Sequence, residues 1–231
     1  MARKVLVILI LAALVATGAF AQKNSITYDV GPTLVGLGFN ALENIIPEDG
    51  VSGNGLGFAF QYERNLFKML SVAGRFAYLS INGGYTDNSY GINLGLDMNM
   101  SSYSIEGHVR YYPFFGSFFL DGTLGYANFS AAFNGQALID NIPRVISFDE
   151  SGNYMKVGAK IGWRISLGSN GGFTIEPAFG YYHGIALGDS VGQKFSDRVP
   201  GEGDVKNLFD MFEKLMFVGG PRLSLGFGWS F

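Results

Sequence analysis

The chain has 231 residues, 16 basic against 19 acidic, no cysteine, 34 glycines, 15% aromatic and only 15% charged residues. That composition excludes disulfides, thiolate catalysis and cysteine-ligated metals, and the acidic balance argues against nucleic acid as a partner. The charged fraction also falls below the roughly 25% usual for soluble domains.

The first residues read as a targeting segment. Arg3 and Lys4 precede an unbroken apolar run from Val5 to Val15, and Ala19-Phe20-Ala21 has the small-x-small form of a cleavage site. The expectation is a cleaved signal peptide over 1–21 and one domain over 22–231. Setting aside Arg3 and Lys4 leaves 14 of the 16 basic residues against 19 acidic ones, a net charge of −5. No later stretch is apolar for 18 residues, so helical membrane spans are excluded. An exported, charge-poor chain rich in glycine and aromatics points to a membrane β-barrel.

Period-two alternation carries that reading, because successive side chains of a strand point to opposite faces. Eight segments alternate. The first runs from Ser25 to Gly38, with Ile26, Tyr28, Val30, Pro32 and Leu34 on one face. The others are Gly55–Arg64, Met69–Ser80, Ser102–Tyr112, Phe118–Asn128, Tyr154–Leu167, Phe173–Gly184 and Val218–Phe231. The apolar sets on one face of each, such as Leu56, Phe58, Phe60 and Tyr62 in the second, hold no charge. Their opposite faces hold Asp29, Glu63, Arg75, Glu106, His108, Arg110, Asp121, Lys156, Lys160, Arg164, Glu176 and Arg222. Slipping the register by one residue would push these charges into lipid, at about 2–4 kcal/mol per Lys or Arg at the midplane.

The expected fold is all-β: a closed antiparallel up-and-down transmembrane barrel of about eight strands. Long connections (40–54, 81–101, 129–153 and 185–217) alternate with short ones (65–68, 113–117 and 168–172), as external loops alternate with periplasmic turns. An even strand count places both termini in the periplasm. Tyr28, Tyr62, Phe67, Phe118, Trp163, Phe173, Trp229 and Phe231 are expected to form interfacial girdles.

Two features leave the count and the loops open. Tyr90, Ile92, Leu94, Leu96, Met98 and Met100 also alternate, but out of phase with Tyr103 and Ile105. Either the fourth strand extends outside the membrane through a bulge, or an extra strand is present; ten strands would need a partner near Arg144–Phe148. Leu208, Met211, Phe212 and Leu215 have helical spacing, so a short helix is expected over 207–216 in the last external loop, packed on the rim or acting as a lid.

The exported N-terminus, the stretch Val109-Arg110-Tyr111-Tyr112-Pro113-Phe114 with Phe118-Phe119-Leu120-Asp121-Gly122, and the alternating C-terminus together resemble the small outer-membrane β-barrel superfamily of OmpX, OmpW and OmpA-transmembrane types. Gly171-Gly172-Phe173-x-x-Glu176-Pro177 and Gly220-Pro221-Arg222 resemble small barrels of spirochaetes. The resemblance implies integral localisation in a Gram-negative type of bacterial outer membrane. It also implies that Leu225, Phe227, Trp229 and Phe231 form the signal read by the barrel assembly machinery. Partners implied are outer-membrane lipid, that machinery and an unidentified surface ligand or host molecule, with the barrel itself a monomer.

The residues offer little catalytic chemistry. His108 lies between Glu106 and Arg110 on the lumen face, and His183 shares the outward phase. Neither has a Ser or Asp at a spacing known from nucleophilic catalysis. Two histidines without cysteine make a poor transition-metal set, and no cofactor is expected. Gly201-Glu202-Gly203-Asp204 offers too few ligands for Ca²⁺, and Gly53-x-Gly55-x-Gly57 has no following helix to make a nucleotide loop. Eight strands enclose a bore that side chains can fill. The sequence therefore suggests a non-enzymatic, porin-like scaffold with a closed polar core, whose external loops serve surface interaction or envelope integrity. The alternatives are an OmpW-like channel for small, largely apolar molecules and a lipid-modifying enzyme.

Overall fold

A computed structural model describes residues 24–45, 51–87, 94–113, 117–139, 142–167, 172–198 and 220–231. The expected signal peptide and the 207–216 helix lie outside the described residues. Among the described residues the chain forms β1 (Asn24–Asp29), α1 (Gly31–Ile45), β2 (Val51–Phe67), β3 (Leu70–Asp87), β4 (Leu94–Tyr111), β5 (Phe118–Ile139) and β6 (Ile142–Trp163). A short β7 (Ile165–Leu167), β8 (Gly172–Ala186), α2 (Val191–Arg198) and β9 (Gly220–Ser230) follow. Segment β7 keeps the register of β6 against β8 across Arg164, so the two make one stave. Each strand pairs antiparallel with its neighbour, and β1 pairs with both β2 and β9. The result is a closed eight-stranded barrel, as the alternation predicts. Asn24 and Phe231 exchange backbone hydrogen bonds at the end that carries the short turns.

In the half nearer those turns, apolar side chains face out. Phe60, Phe76, Ile105, Val109, Leu124, Phe179 and Leu223 are exposed, while Glu63, Arg75, Glu106, Arg110 and Lys156 are buried inside. Phe67, Trp163, Phe173, Trp229 and Phe231 are exposed at the turn end, and the Phe118 and Trp163 rings lie 5.4 Å apart, as an interfacial girdle requires.

In the other half the polarity inverts while the strands run on. Leu79, Ile81, Met100, Phe129, Ala131, Phe133 and Phe148 point inward into a buried apolar cluster. On the outside, Ser80, Ser101, Ser130 and Ser151 stand in one cross-strand row, followed by the row Asn54, Asn82 and Asn99. Outside lipid the ordinary rule of soluble sheets returns: apolar in, polar out.

This inversion corrects the expected bulge. The pairing of β4 with β3 and β5 runs without a register shift from its loop end to Tyr111. Residues 94–100 therefore extend the fourth strand, as one sequence reading had it, but their phase offset marks the change from a polar to an apolar interior. The same extension turns much of the expected loops 81–101 and 129–153 into strand. Strands β5 and β6 have 22 residues each, about twice what a tilted span needs.

The first strand is a second correction. It ends at Asp29 instead of Gly38, and α1 follows. Asp29 Oδ1 accepts from the Gly31 N–H at 3.0 Å, capping the turn into the helix, and Pro32 stands in its first turn, where its missing N–H costs no helical hydrogen bond. Helix α1 packs on the inner face of β2, where Gly55 and Gly57 leave room. A Cβ at Gly57 would meet the Pro32 carbonyl oxygen at 2.2 Å, and one at Gly55 would meet Gly36 Cα at 2.8 Å. Val35 and Phe39 pack against the apolar cluster. The edge of β2 that β1 no longer covers is satisfied by the helix: Thr33 Oγ1 donates to the Gly57 carbonyl at 2.8 Å, and Asn40 Oδ1 accepts from the Gly55 N–H at 2.5 Å. Alternation of Pro32, Leu34 and Gly36 could not reveal this, because the choice depends on a docking face three strands wide.

Gly57→Val is expected to destabilise the barrel by about 1–3 kcal/mol through overpacking against α1. Gly74→Ala, where an added Cβ meets nothing within 4 Å, should leave it unchanged. Urea unfolding in lipid vesicles, followed by tryptophan fluorescence, reads both.

Candidate functional site: the charged lumen

The inward register of β2, β3, β4, β5, β6, β8 and β9 converges charged side chains on the bore of the turn-end half. The densest point is Arg110 on β4. Its Nη1 donates to Glu63 Oε2 on β2 at 2.5 Å and to Glu176 Oε2 on β8 at 3.0 Å, and its Nε donates to Asp121 Oδ2 on β5 at 2.7 Å. The guanidinium also lies 4.4 Å from the centroid of the Phe119 ring. Arg164, between β6 and β7, closes the layer: its Nη2 donates to Glu63 and its Nε to Glu176, each at 2.5 Å. Ser71 Oγ and Tyr112 Oη donate to the remaining oxygen of Glu63 at 2.6 and 2.9 Å.

A second layer centres on Glu106. Its Oε1 accepts from Lys156 Nζ at 2.6 Å, Ser104 Oγ at 2.8 Å and Arg75 Nη1 at 3.0 Å. Arg75 reaches on to Asp29 at 2.9 Å. Lys156 and Arg222 both lie over the Tyr182 ring, at 5.0 and 4.9 Å.

His108 joins the layers. Its Nδ1 lies 2.9 Å from both Asp121 Oδ1 and Thr123 Oγ1, and its Nε2 lies 3.4 Å from Glu106 Oε2. Lys160 approaches Asp121 at 3.4 Å. All twelve lumen positions named from the sequence thus lie along one bore. His183, by contrast, is exposed on the outside of β8.

Burying a single charge costs several kcal/mol unless partners and hydrogen bonds satisfy it. Here each carboxylate named above meets at least one cation, and hydroxyls of Ser71, Tyr112, Ser104 and Thr123 add hydrogen bonds to Glu63, Glu106 and Asp121. Space comes from small inward residues: a Cβ at Gly180 would meet Lys160 Cβ at 2.5 Å. Sequence reasoning missed Ser71, Ser104, Tyr112, Phe119, Thr123 and Tyr182. Their signal was available, since each shares the inward register of a charged neighbour, but neutral side chains do not mark a face by themselves. Among the described residues no group of three or more His, Asp or Glu could hold a metal ion.

The family model for the autotransporter beta-domain matches residues 47–190, more than half of the chain. The chain belongs to the autotransporter β-domain family. It is an integral outer-membrane β-barrel, with its apolar belt turned to lipid. Solved structures to which it is similar include Ail, the attachment invasion locus protein of Yersinia pestis, at 15% identity over 92% of this chain and 100% of that one, with a TM-score of 0.45. A major outer membrane protein of Thermus thermophilus is similar at 14% identity, 92% and 100% coverage and a TM-score of 0.45. The transport unit of the autotransporter AIDA-I of Escherichia coli is similar at 13% identity, over 71% of this chain and 52% of that one, with a TM-score of 0.35. No curated protein sequence matches this chain.

Arg110→Met is expected to cost about 3–5 kcal/mol, because it removes the buried guanidinium that Glu63, Asp121 and Glu176 share. Lys194→Ala breaks a 3.4 Å rim pair with Glu150 that solvent reaches and should cost under about 1 kcal/mol. Equilibrium unfolding of both variants in vesicles measures the contrast.

Proposed function

We propose that this chain is a non-enzymatic outer-membrane barrel with both termini in the periplasm, whose sealed bore supports the strands and loops that reach beyond the outer surface. The observation that carries the reading is Arg110, bound at once by carboxylates from β2, β5 and β8. One side chain tied to three other staves leaves no clear passage at its level. Above it, α1 and the apolar cluster fill the bore a second time. The orientation rests on the short turns lying with the termini, the usual periplasmic arrangement. The role belongs to surface interaction or envelope integrity, and the C-terminal Leu225, Phe227, Trp229 and Phe231 serve assembly. Catalysis is disfavoured because both ring nitrogens of the buried His108 face lumen carboxylates, leaving none for a lipid substrate. A transport role like that named for the AIDA-I unit would need these ion pairs to part.

Planar bilayers containing the protein should show no steady ion conductance, and the double variant Glu63→Ala/Arg110→Ala should stay closed as well, because α1 and the apolar cluster still fill the bore above that layer. Conductance of the unaltered protein comparable to an open porin would overturn the closed-scaffold reading.

A second reading, passage of small apolar molecules through the wall, is favoured by one observation. Beyond Asp29 the stave between β2 and β9 is a helix, with Leu34 and Leu37 exposed on α1 and Leu223 exposed on β9. Cells expressing the protein should then take up a small apolar probe faster than cells without it, and Leu34→Trp/Leu37→Trp should slow that uptake. Equal uptake with and without the protein removes the reading.

A further inference from the structure

Above the serine row the outer wall carries a surface with a distinct chemistry. Ser52 and Asn54 on β2, Asn82 on β3, Asp97 and Asn99 on β4, and Asn134 on β5 occupy adjacent outward positions and border a hollow of about 740 Å³. Asn40 of α1 reaches the same hollow while its Oδ1 accepts from Gly55. Gly84 lies in the same outward row. Its lack of a side chain holds the hollow open, since a Cβ there would meet Ser52 Oγ at 2.9 Å and Asp97 Oδ1 at 3.3 Å.

Among the described residues the lining adds Gly53, Gly83, Met98 and Ala132 and contains no Lys, Arg or His. It could not neutralise a phosphate or sulfate, and Asp97 would repel one. It holds carboxamides instead, and each offers two donors and an acceptor on one planar group. Such groups match vicinal hydroxyls, where one oxygen donates and its neighbour accepts. A carboxylate among them accepts two further hydroxyl protons through charge-assisted bonds. The strands on which these residues stand are continuously paired across β2, β3, β4 and β5, so the donors are held on a rigid sheet.

We propose that this outward face binds a neutral saccharide at the outer surface, its hydroxyls held by Asn54, Asn82, Asn99 and Asn134 with Asp97 as the acceptor. The inference rests on the outward orientation of the loop end argued above. Its position just above the lipid belt suits the sugar of a glycolipid as well as a free glycan; the shared chemistry is an uncharged polyol.

The test uses the full barrel in detergent against neutral oligosaccharides of hexose and N-acetylhexosamine, with their sulfated counterparts, by isothermal titration. A second arm measures flotation with vesicles of phosphatidylcholine with and without a monogalactosyl lipid. Binding of a neutral oligosaccharide that falls at least tenfold in Asn82→Ala/Asn99→Ala and in Asp97→Ala is the expected result. Both sites are exposed, so the variants should keep the unaltered unfolding midpoint. Galactolipid-dependent flotation assigns a glycolipid source, and free-glycan binding without it assigns a soluble one; both support the site. Preference for the sulfated sugars, equal binding by the variants, or no binding of any neutral saccharide in either arm would overturn it. Conductance plays no part in these readouts, so a failure here stands apart from a failure of the closed-scaffold reading.

Discussion

Continuous backbone pairing is the constraint on which this molecule depends. In hydrocarbon every N–H and C=O must find a partner within the protein, and the closed sheet provides one for each stave. Because pairing does not care about side-chain polarity, the same strands cross from lipid into water without interruption. Only the side chains change places: Phe76 and Ile105 face lipid, and three alternations further on Asn82 and Asn99 face outward instead. Where β1 gives up its place, α1 takes over the obligation through Thr33 and Asn40.

Two different interiors follow from that inversion. Below it the outside is apolar, so polar residues gather in the bore, and each charge must be matched there. The pairing of Arg110 with three carboxylates and of Glu106 with Arg75 and Lys156 is the solution reached. Above it the hydrophobic effect acts in the familiar direction, and Leu79, Met100 and Phe129 form a core like that of a soluble sandwich. The bore is filled twice by opposite chemistries, which is why a scaffold reading outweighs a pore.

Much of this could be read in the residues alone. Apolar alternation sets the register of seven strands, and every lumen charge named from it does face the bore. The Tyr90–Met100 offset was visible too, but its meaning was not. A bulge and an inversion leave the same mark in the alternation; only unbroken pairing with β3 and β5 separates them. Residues 31–38 misled for a related reason. Pro32, Leu34 and Gly36 fit a strand, yet they fold as a helix because Gly55 and Gly57 on another strand open a berth for it.

The sequence by itself determined the barrel, its facing and its cast of charges, because period-two patterning is a local property enforced by lipid on one side. Tertiary structure decided which charge meets which, since Glu63 and Arg164 are neighbours only after the sheet closes. It decided as well that the loop-end half is a soluble-type core beneath a carboxamide surface. That outcome depends on where the membrane ends along each strand, a position that a run of alternating residues does not carry.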